Sequence, residues 1–366
     1  MNNRETVERI IFIFAAILVV IGIVVFINNF RTDGRTDVVC VGAVCIGSAD
    51  DNGWNQSHYE GISKACNVNS CKMYPKMNVP EEEGMVKKAV SELVDQGCSC
   101  IFLTSYGYSE FLNSIAKEYP KVAFYCISGE NGSSNCTTYF ARMYQVRYLS
   151  GIVAGATSKT GILGYVTAMP IPETIRSVNA YALGARKADP KAQVLVVYTG
   201  SWEDKDAEEQ AVRYLKDAGA DVITYHEDRP YAIDLADEMG LFTTGYDYVS
   251  HDYSDRFLTA AVINWDVLYT RILRDYLSGR ADFSNDYWLG LSEGAVSLYE
   301  YSDMVTEDTK KLVSSEEERI RNLLDVFSGE IRDNKGFVRC SENERISDNE
   351  LFNHFDWYVE GVEIYE

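Results

Sequence analysis

The sequence predicts an α/β protein in which two doubly wound, parallel-sheet lobes enclose a cleft, preceded by one transmembrane helix. Three observations support this prediction. Short apolar runs alternate with amphipathic stretches, the alternation restarts after residue 141, and an uncharged apolar run occupies residues 10–27. Because alternating strands and helices build parallel sheets with helices on both faces, two such series predict two lobes.

The N-terminal run reads IIFIFAAILVVIGIVVFI, and arginines flank it on both sides. At 1.5 Å per residue it just spans the hydrocarbon core of a bilayer. The Asn28-Asn29-Phe30 segment offers no small-residue cleavage site, and no cysteine for lipid attachment occurs before Cys40. We therefore expect residues 1–37 to be an uncleaved anchor in the cell membrane, with an extracytoplasmic body. A signal peptide cut at an unusual site is the alternative, and a cytoplasmic body is less favoured.

The first half of the body alternates strands and helices in a way typical of a parallel sheet. The predicted strands are 38–47, 72–74, 100–104 and 122–127, and the predicted helices are 54–66, 79–97 and 108–119. In the helix over 79–97, we expect Pro80 in the first turn and the acidic Glu81–Glu83 near the positive end of the helix dipole.

The second half repeats the pattern. The predicted helices are 144–156, 175–188, 205–218 and 231–239, and the predicted strands are 161–166, 192–198, 222–225 and a final short strand at 242–245. Parallel-sheet proteins bind ligands beyond the carboxyl ends of their strands. The loops at those ends are rich in Asp, Asn, Trp and Tyr, and they cover residues 48–55, 104–107, 167–172, 199–204, 226–229 and 246–248.

Composition excludes several classes of function. The chain has 366 residues and a formal net charge of -21 at pH 7, which argues against nucleic-acid binding and against lying on an anionic membrane surface. An apolar content of 46% is too high for intrinsic disorder. One apolar span cannot make a channel or permease.

Eight of the nine cysteines lie between Cys40 and Cys136. In an exported protein, Cys66 with Cys71 and Cys126 with Cys136 could close short loops as disulfides. The favoured alternative is that most of the cysteines are small buried apolar residues. Their spacing does not match a zinc site.

Two tryptophans occupy equivalent loop positions in the two halves. Trp54 follows the first strand in SADDNGWNQ, and Trp202 follows a strand of the second half in YTGSWED. If the halves face each other, the two indoles could stack on one flat ligand. Burial of each Trp within its own lobe is the alternative.

Polar residues in the same loops could read the edges of such a ligand. Asn55 could instead cap a helix, Asp51 could belong to a solvated turn, and Asp204 could cap the helix that follows it. Asp247 could accept hydrogen bonds from a diol. Asp228 ends a His226-Glu227-Asp228 run, in which adjacent side chains diverge too much for a convincing metal site.

Signatures of catalysis are missing. The sequence has four histidines and lacks GxSxG, HExxH, P-loop and GxGxxG motifs. We therefore expect a binding protein rather than an enzyme, with no catalytic residue, metal or cofactor.

Several long motifs, in this order, resemble the basic membrane protein family, the substrate-binding proteins of ABC importers typified by bacterial purine nucleoside receptors. They are GSADDNGWNQSHYEG, KTGILGYVTAMPIPETIRSVNAYALGARKADP, VYTGSWEDKDAEEQA, GADVI, TTGYD and the C-terminal DNELFNHFDWYVEGV. The resemblance covers residues 38–366 and implies a type I periplasmic-binding-protein fold that closes on its ligand. It implies a first lobe of residues 38–141 plus 265–287 and a second of 142–264 plus 288–366.

The resemblance also implies ligand-binding residues. They are Asp51, Trp54, Asn55, Trp202, Asp204 and Asp247. We add Asp228 from the loop after a strand, and Asn264, which stands where many members of the family have a Lys. Of these, Trp54 and Trp202 would sandwich a purine, and Asp247 would contact a sugar. Arg176 in PETIR is expected to line the cleft or bridge the lobes, or else to be a surface charge.

Three departures from the family pattern affect specificity. Both stacking positions are Trp rather than Phe, Asn264-Trp265 stands where many members have a ribose-contacting Lys, and the lipobox cysteine is absent. We expect an extracytoplasmic receptor for a purine nucleobase or nucleoside that delivers its ligand to an ABC permease. A membrane-anchored purine sensor is the alternative, and a nucleoside-processing enzyme is less favoured.

Overall fold

The computed structural model describes residues 38–128, 133–249, 252–322 and 325–365. The apolar run at 10–27 lies outside these ranges. Within them, no helix combines the length and the apolar character needed to cross a membrane.

The first sheet has six strands, all parallel, in the spatial order β11-β5-β4-β3-β1-β2. Its strands are β1 (Cys40–Val44), β2 (Lys72–Lys76), β3 (Cys98–Leu103), β4 (Ala123–Ile127), β5 (Cys136–Ala141) and β11 (Tyr287–Leu289). Strand β11 returns from a distant part of the chain to pair with β5. The chain therefore builds this lobe from two separate segments.

The second sheet has seven strands in the order β12-β10-β9-β8-β6-β7-β15. Its strands are β6 (Ile162–Thr167), β7 (Gln193–Tyr198), β8 (Val222–His226), β9 (Phe242–Asp247), β10 (Phe257–Ile263), β12 (Val296–Leu298) and β15 (Val362–Ile364). Every pairing is parallel except that of β10 with β12. A two-stranded ribbon pairs β13 (Ile331–Arg332) with β14 (Val338–Cys340).

Nine α-helices are present in the described residues. They are α1 (Trp54–Val68), α2 (Glu83–Asp95), α3 (Ser109–Glu118), α4 (Met143–Thr157), α5 (Pro172–Ala188), α6 (Lys205–Asp217), α7 (Tyr231–Glu238), α8 (Trp265–Leu277) and α9 (Glu307–Arg321). Helix α8 packs on α1 of the first lobe, and α4 packs on α5 of the second. A short 3₁₀ turn (Tyr106–Tyr108) and a π-helical turn (Glu350–His354) complete the elements that bear on the site.

The core of the first lobe follows directly from its sequence pattern. Strand β1 buries four of its five residues, and Ile101 and Leu103 of β3 share a cluster with Val90 of α2 and Leu112 of α3. Burying such side chains contributes about 1.5–3 kcal/mol each. This packing holds the carboxyl ends of the strands in fixed positions at one edge of the lobe.

The structure corrects three details of the predicted elements. Strand β5 was not predicted, because its sequence CTTYFA mixes Thr with apolar residues although all six side chains are buried. The strand at 242–245 is not the last one, since β10 and five further strands follow it. Helix α2 begins at Glu83 rather than Val79, because Glu81 accepts hydrogen bonds from Gly107 N (2.7 Å) and Ser105 Oγ (2.5 Å), which hold this segment as a loop.

Candidate ligand-binding cleft

A cavity of about 350 Å³ lies at the carboxyl ends of both sheets. This volume includes space that is open to solvent. Residues on the first-lobe side are Trp54, Ser105, Tyr106 and Ile127, and those on the second-lobe side are Glu173, Trp202, His226, Glu227, Asp228 and Tyr246. Both halves of the chain therefore contribute to one cavity.

The indole of Trp54 forms a fixed wall of this cavity. Its Nε1–H donates to the carbonyl oxygen of Thr104 at 2.9 Å, and the residue is only 9% exposed. Trp265 meets it edge-on, with ring centroids 5.4 Å apart. The Tyr246 ring lies 14° from parallel to it, with centroids 6.5 Å apart. Because its N–H group is already used within the protein, Trp54 can offer a ligand only its aromatic surface.

The second lobe supplies further aromatic rings. The ring centroids of His226 and Tyr246 are 4.1 Å apart, and those of Trp202 and His226 are 6.4 Å apart. The guanidinium of Arg147 stacks on Tyr246 at 4.5 Å and donates to Tyr225 O at 2.6 Å. Tyr246 is thereby held in place by a buried cation.

Two residues that line the cavity carry buried polar atoms without hydrogen-bond partners. His226 and Glu227 are 1% and 2% exposed, yet both ring nitrogens of His226 and Oε2 of Glu227 lack a hydrogen-bond partner in the described structure. The closest carboxylate oxygen, Oε1 of Glu173, is 3.4 Å from Nε2 of His226. Buried polar groups in proteins almost always have partners. A polar ligand in the cavity would supply them.

Burial also controls protonation. It lowers the pKa of His226 to about 4, although Glu173 acts in the opposite direction. The neutral imidazole therefore offers one donor and one acceptor at pH 7. Burial raises the pKa of Glu227 well above its usual value, with Glu208 adding to the effect, and it does the same for Asp228, with Asp51 adding. Within the described residues, no cluster of three or more His, Cys, Asp or Glu could hold a metal ion.

Three of the residues named from the sequence line this cavity, namely Trp54, Trp202 and Asp228. Asp51 and Asn55 lie behind the Trp54 wall. Asp51 accepts hydrogen bonds from Gly53 N, Asn55 N and Gln56 N at 2.9–3.0 Å and from Asn55 Nδ2 at 2.8 Å. Oδ1 of Asn55 accepts from Gly47 N at 2.9 Å. These two side chains cap and position the start of helix α1.

Asp247 and Asn264 border a second cavity of about 690 Å³. Asp247 accepts hydrogen bonds from Ser57 Oγ and from Trp265 Nε1, the latter at 2.8 Å. Burial raises the pKa of Asp247 to about 7, while both hydrogen bonds lower it. Asn264 donates to Gly294 O at 2.8 Å and to Ser297 Oγ at 3.2 Å. Protein groups thus already bond to both carboxyl oxygens of Asp247 and to the amide nitrogen of Asn264.

Asp204 and Arg176 lie outside both cavities. Asp204 is exposed and caps helix α6 by accepting a hydrogen bond from Ala207 N at 3.0 Å. Arg176 is 2% exposed, donates to Leu351 O at 2.8 Å and stacks on Trp288 of the first sheet at 5.2 Å. It bridges the lobes rather than carrying a surface charge.

Sequence reasoning did not select several lining residues, namely Ser105, Tyr106, Ile127, Glu173, His226, Glu227 and Tyr246. Signals for some were present: Ser105, Tyr106 and Tyr246 belong to the polar loops after strands, and Glu173 immediately follows such a loop. Ile127 gave no signal, because an apolar residue at the end of a buried strand looks like any core residue.

Several hydrogen bonds join the lobes across the cleft. Trp54 N donates to Asp228 O at 3.0 Å, and Ser128 Oγ donates to Glu173 Oε2 at 3.1 Å. A Cβ atom on Gly53 would overlap the carbonyl oxygen of Asp228, so this approach requires glycine. The structure therefore represents a closed state.

Comparisons with known proteins agree with this architecture. The profile of the Bmp family, described as "ABC transporter substrate-binding protein PnrA-like", matches residues 38–327. A purine-binding protein of Brucella abortus is 31% identical over 326 residues, which are 88% of this chain and 92% of that protein. A putative ABC transporter glucose-binding protein of Haloferax volcanii is 33% identical over 265 residues, 72% of this chain and 65% of that protein.

Among solved structures, an ABC transporter solute-binding protein from Aeropyrum pernix K1 superposes with a TM-score of 0.68 at 17% identity. The alignment covers 81% of this chain and 93% of that one. It shows the α/β fold of type I periplasmic binding proteins, as the sequence resemblance implied. Since the family profile spans most of both lobes and the Brucella protein aligns along nearly its whole length, this chain belongs to the PnrA-like family of ABC transporter substrate-binding proteins.

Proposed function

We propose that this protein is a membrane-anchored extracytoplasmic receptor that binds a purine nucleobase and delivers it to an ABC permease. One observation carries the choice of ligand: an aromatic-walled cavity in which both ring nitrogens of His226 and Oε2 of Glu227 have no hydrogen-bond partner. A purine has two flat faces for stacking and an edge that carries both donors and acceptors. The purine-binding relative from Brucella supports the same class of ligand.

Each wall has a role in this proposal. Trp54 and Trp202 stack on the base, and Tyr246 extends the aromatic surface. His226 gives one donor and one acceptor to the ring edge. Glu227 and Asp228, whose pKa values burial raises, can donate as well as accept hydrogen bonds there. Each stacked face contributes about 0.5–1.5 kcal/mol beyond burial.

A free base fits this site better than a nucleoside. Asp247 is occupied by Ser57 and Trp265, and Asn264 is occupied by Gly294 and Ser297. A ribose hydroxyl that displaced Trp265 from Asp247 would leave the indole N–H of Trp265 buried without an acceptor, at a cost of about 1–3 kcal/mol.

The experiment is calorimetric titration of the full chain in detergent, after removal of bound ligand by unfolding and refolding. Adenine, guanine and hypoxanthine are compared with adenosine, guanosine and inosine. We expect a micromolar or tighter Kd for at least one free base, and binding of its nucleoside at least about tenfold weaker. Tight nucleoside binding would contradict the base preference, and no heat with any purine from folded protein would contradict the purine assignment.

Anchoring and delivery are tested separately. We propose that residues 10–27 hold the protein in the membrane, so it should remain in the pellet after alkaline carbonate extraction, whereas a variant lacking residues 1–37 should not. With a reconstituted permease and its ATPase, the liganded receptor should stimulate ATP hydrolysis more than the ligand-free receptor. Equal ATP hydrolysis with both would contradict a delivery role.

A further inference from the structure

Helix α1 ends in a local motif that contains two cysteines. Its last helical residue is Val68, and Ser70 adopts a left-handed conformation with φ of 55°. Cys71 N donates to Cys66 O at 2.9 Å, and Ser70 N donates to Asn67 O at 3.3 Å. These two hydrogen bonds define a Schellman motif. Cys66 lies three residues before the cap residue Asn69, and Cys71 lies two residues after it.

This motif brings those two side chains together. The side chains at these two positions commonly make contact, because the chain reverses across the helix end. Cys66 is 2% exposed, and Cys71 is partly exposed. The Sγ atom of Cys71 lies 3.7 Å from Asn69 O, so this thiol folds back over the helix end. Both cysteines are free thiols in the structure.

We propose that Cys66 and Cys71 are a disulfide-forming pair at the end of helix α1. A small-molecule disulfide, RSSR, is the oxidant. The Cys71 thiolate attacks RSSR, forming Cys71–S–S–R and releasing one RS⁻. The Cys66 thiolate then attacks the Cys71 sulfur, closing the protein disulfide and releasing the second RS⁻. The two thiols lose two protons and two electrons, and two RSH molecules are formed.

The surroundings determine the order and rate of these steps. Cys71 reacts first because it is the more exposed thiol. Burial raises the pKa of both thiols, that of Cys66 to about 12, so little thiolate is present at neutral pH. Since the thiolate is the reactive form, closure is slow at pH 7 and faster at pH 8.5.

Cys40 is the competing partner. Its Cα pairs with that of Lys72, the residue after Cys71, and also with that of Cys98 on strand β3. The Cα–Cα distance between paired residues of neighbouring strands lies within the range of disulfides, about 4.4–6.8 Å. The Schellman motif favours Cys66, because it folds Cys71 toward the helix end.

The pair is remote from the ligand cavity. Helix α1 has 15 residues, which at about 1.5 Å each separate Cys66 and Cys71 from Trp54 by roughly 20 Å. Oxidation should therefore cross-link the end of helix α1 to the residue that precedes β2 and leave ligand affinity unchanged. The pairing test below is thus independent of the purine proposal.

The test is peptide mapping of the full chain in detergent. The protein is incubated with oxidised glutathione at pH 8.5, alkylated, denatured, alkylated again and digested with trypsin. Cleavage after Lys64 and Lys72 yields residues 65–72, which contain Cys66 and Cys71 only. We expect most of this peptide to be unalkylated and lighter by about 2 Da than its reduced form, owing to the two hydrogens lost.

Two variants sharpen the assignment. Cys40→Ser should retain the 2 Da loss, and Cys71→Ser should abolish it while leaving Cys66 free for alkylation after denaturation. Alkylation of both cysteines in the oxidised wild-type protein would overturn the proposal. Linkage of residues 65–72 to a second peptide that contains Cys40 would overturn it as well, because Cys40 rather than Cys66 would then be the partner of Cys71.

Discussion

At the scale of the residue, the site separates side chains that contact a ligand from side chains that hold those in place. Trp54 uses its N–H on Thr104 and presents its ring, whereas Asp51 and Asn55 use their polar atoms on each other and on the backbone. All three residues belong to one short motif, SADDNGWN. Neighbouring residues of one motif therefore have different roles: Trp54 faces the cavity, whereas Asp51 and Asn55 support the start of the helix.

Trp202 tests the stacking role. Trp202→Ala should weaken purine binding about tenfold or more, because a stacked face contributes about 0.5–1.5 kcal/mol beyond burial and about 1.4 kcal/mol corresponds to tenfold. Phe337→Ala is the control, since Phe337 is 65% exposed and outside the cavity. Calorimetry measures both. Equal affinity for wild type and Trp202→Ala would remove Trp202 from the site.

Asp247 tests the consequence of burying a carboxyl group. Its pKa is raised to about 7 in the folded protein, against about 3.9 when unfolded. The protonated form is therefore favoured by folding, and this stabilisation, complete below pH 3.9, is lost as pH rises through 7. Between pH 5 and 8 the wild type should lose about 2–3 kcal/mol relative to Asp247→Asn.

Urea unfolding of both proteins at pH 5, 6, 7 and 8 measures that difference. The comparison between variants is needed because buried Glu208, whose pKa is raised to about 8, changes stability in the same direction. A stability difference that is constant across this pH range would contradict the raised pKa of Asp247.

At the scale of the element, two helices begin with a capping aspartate, but only one of them supports the site. Asp51 satisfies three backbone N–H groups at the start of α1 and is 2% exposed, while Asp204 satisfies one at the exposed start of α6. The first helix carries Trp54, which forms a wall of the cavity. The loss of each cap should therefore have different consequences.

We expect Asp204→Ala to lower the free energy of unfolding by about 1 kcal/mol, the usual value of an N-cap, and to leave ligand affinity within about twofold. Asp51→Ala should cost more, roughly 2 kcal/mol or above, and should also weaken binding, since buried N–H groups lose their acceptor and Trp54 loses its support. Urea unfolding and calorimetry separate the two effects. A large loss of ligand affinity in Asp204→Ala would show that Asp204 contributes to binding and would contradict a purely capping role.

At the scale of the whole molecule, ligand binding is linked to closure of the cleft. Hydrogen bonds from Trp54 to Asp228, from Ser57 to Asp247 and from Ser128 to Glu173 all join the lobes. A ligand favours the closed state only through its higher affinity for that state. The closed state also requires glycine at position 53, because a Cβ atom there would overlap the carbonyl oxygen of Asp228.

Gly53→Ala should therefore weaken binding at least tenfold, because its Cβ would overlap the carbonyl oxygen of Asp228 and hold the lobes apart. Gly84→Ala is the matched control, since a Cβ there meets nothing within 4 Å and alanine favours helix α2. Small-angle scattering should show a decrease in radius of gyration on ligand addition for the control only. Closure of Gly53→Ala to the same extent would contradict this account.

The sequence predicted the larger part of the fold. Alternating apolar runs gave most strands and helices within a few residues, since parallel strands are buried on both faces. Strand β5 was not predicted, because its two threonines make a buried strand look polar. Strand β10 was not predicted, because it follows a long polar loop. Trp54, Trp202 and Asp228, which the sequence places in loops at strand ends, line the cavity, and their role in binding stays a prediction. Ile127 could not be distinguished from a core residue.

By itself, the sequence determined local features of this protein: its alternating elements, the cap at Asp204, and the polar loops that follow the strands. These depend on residues close together in the chain. Only the tertiary structure decided which polar atoms remain without partners. Residues from elsewhere in the fold hydrogen-bond to Asp247 and to Asn264, while both ring nitrogens of His226 and Oε2 of Glu227 have no such partner. The reason is physical: hydrogen-bond satisfaction in a buried site depends on distant segments that the chain brings together only when it folds.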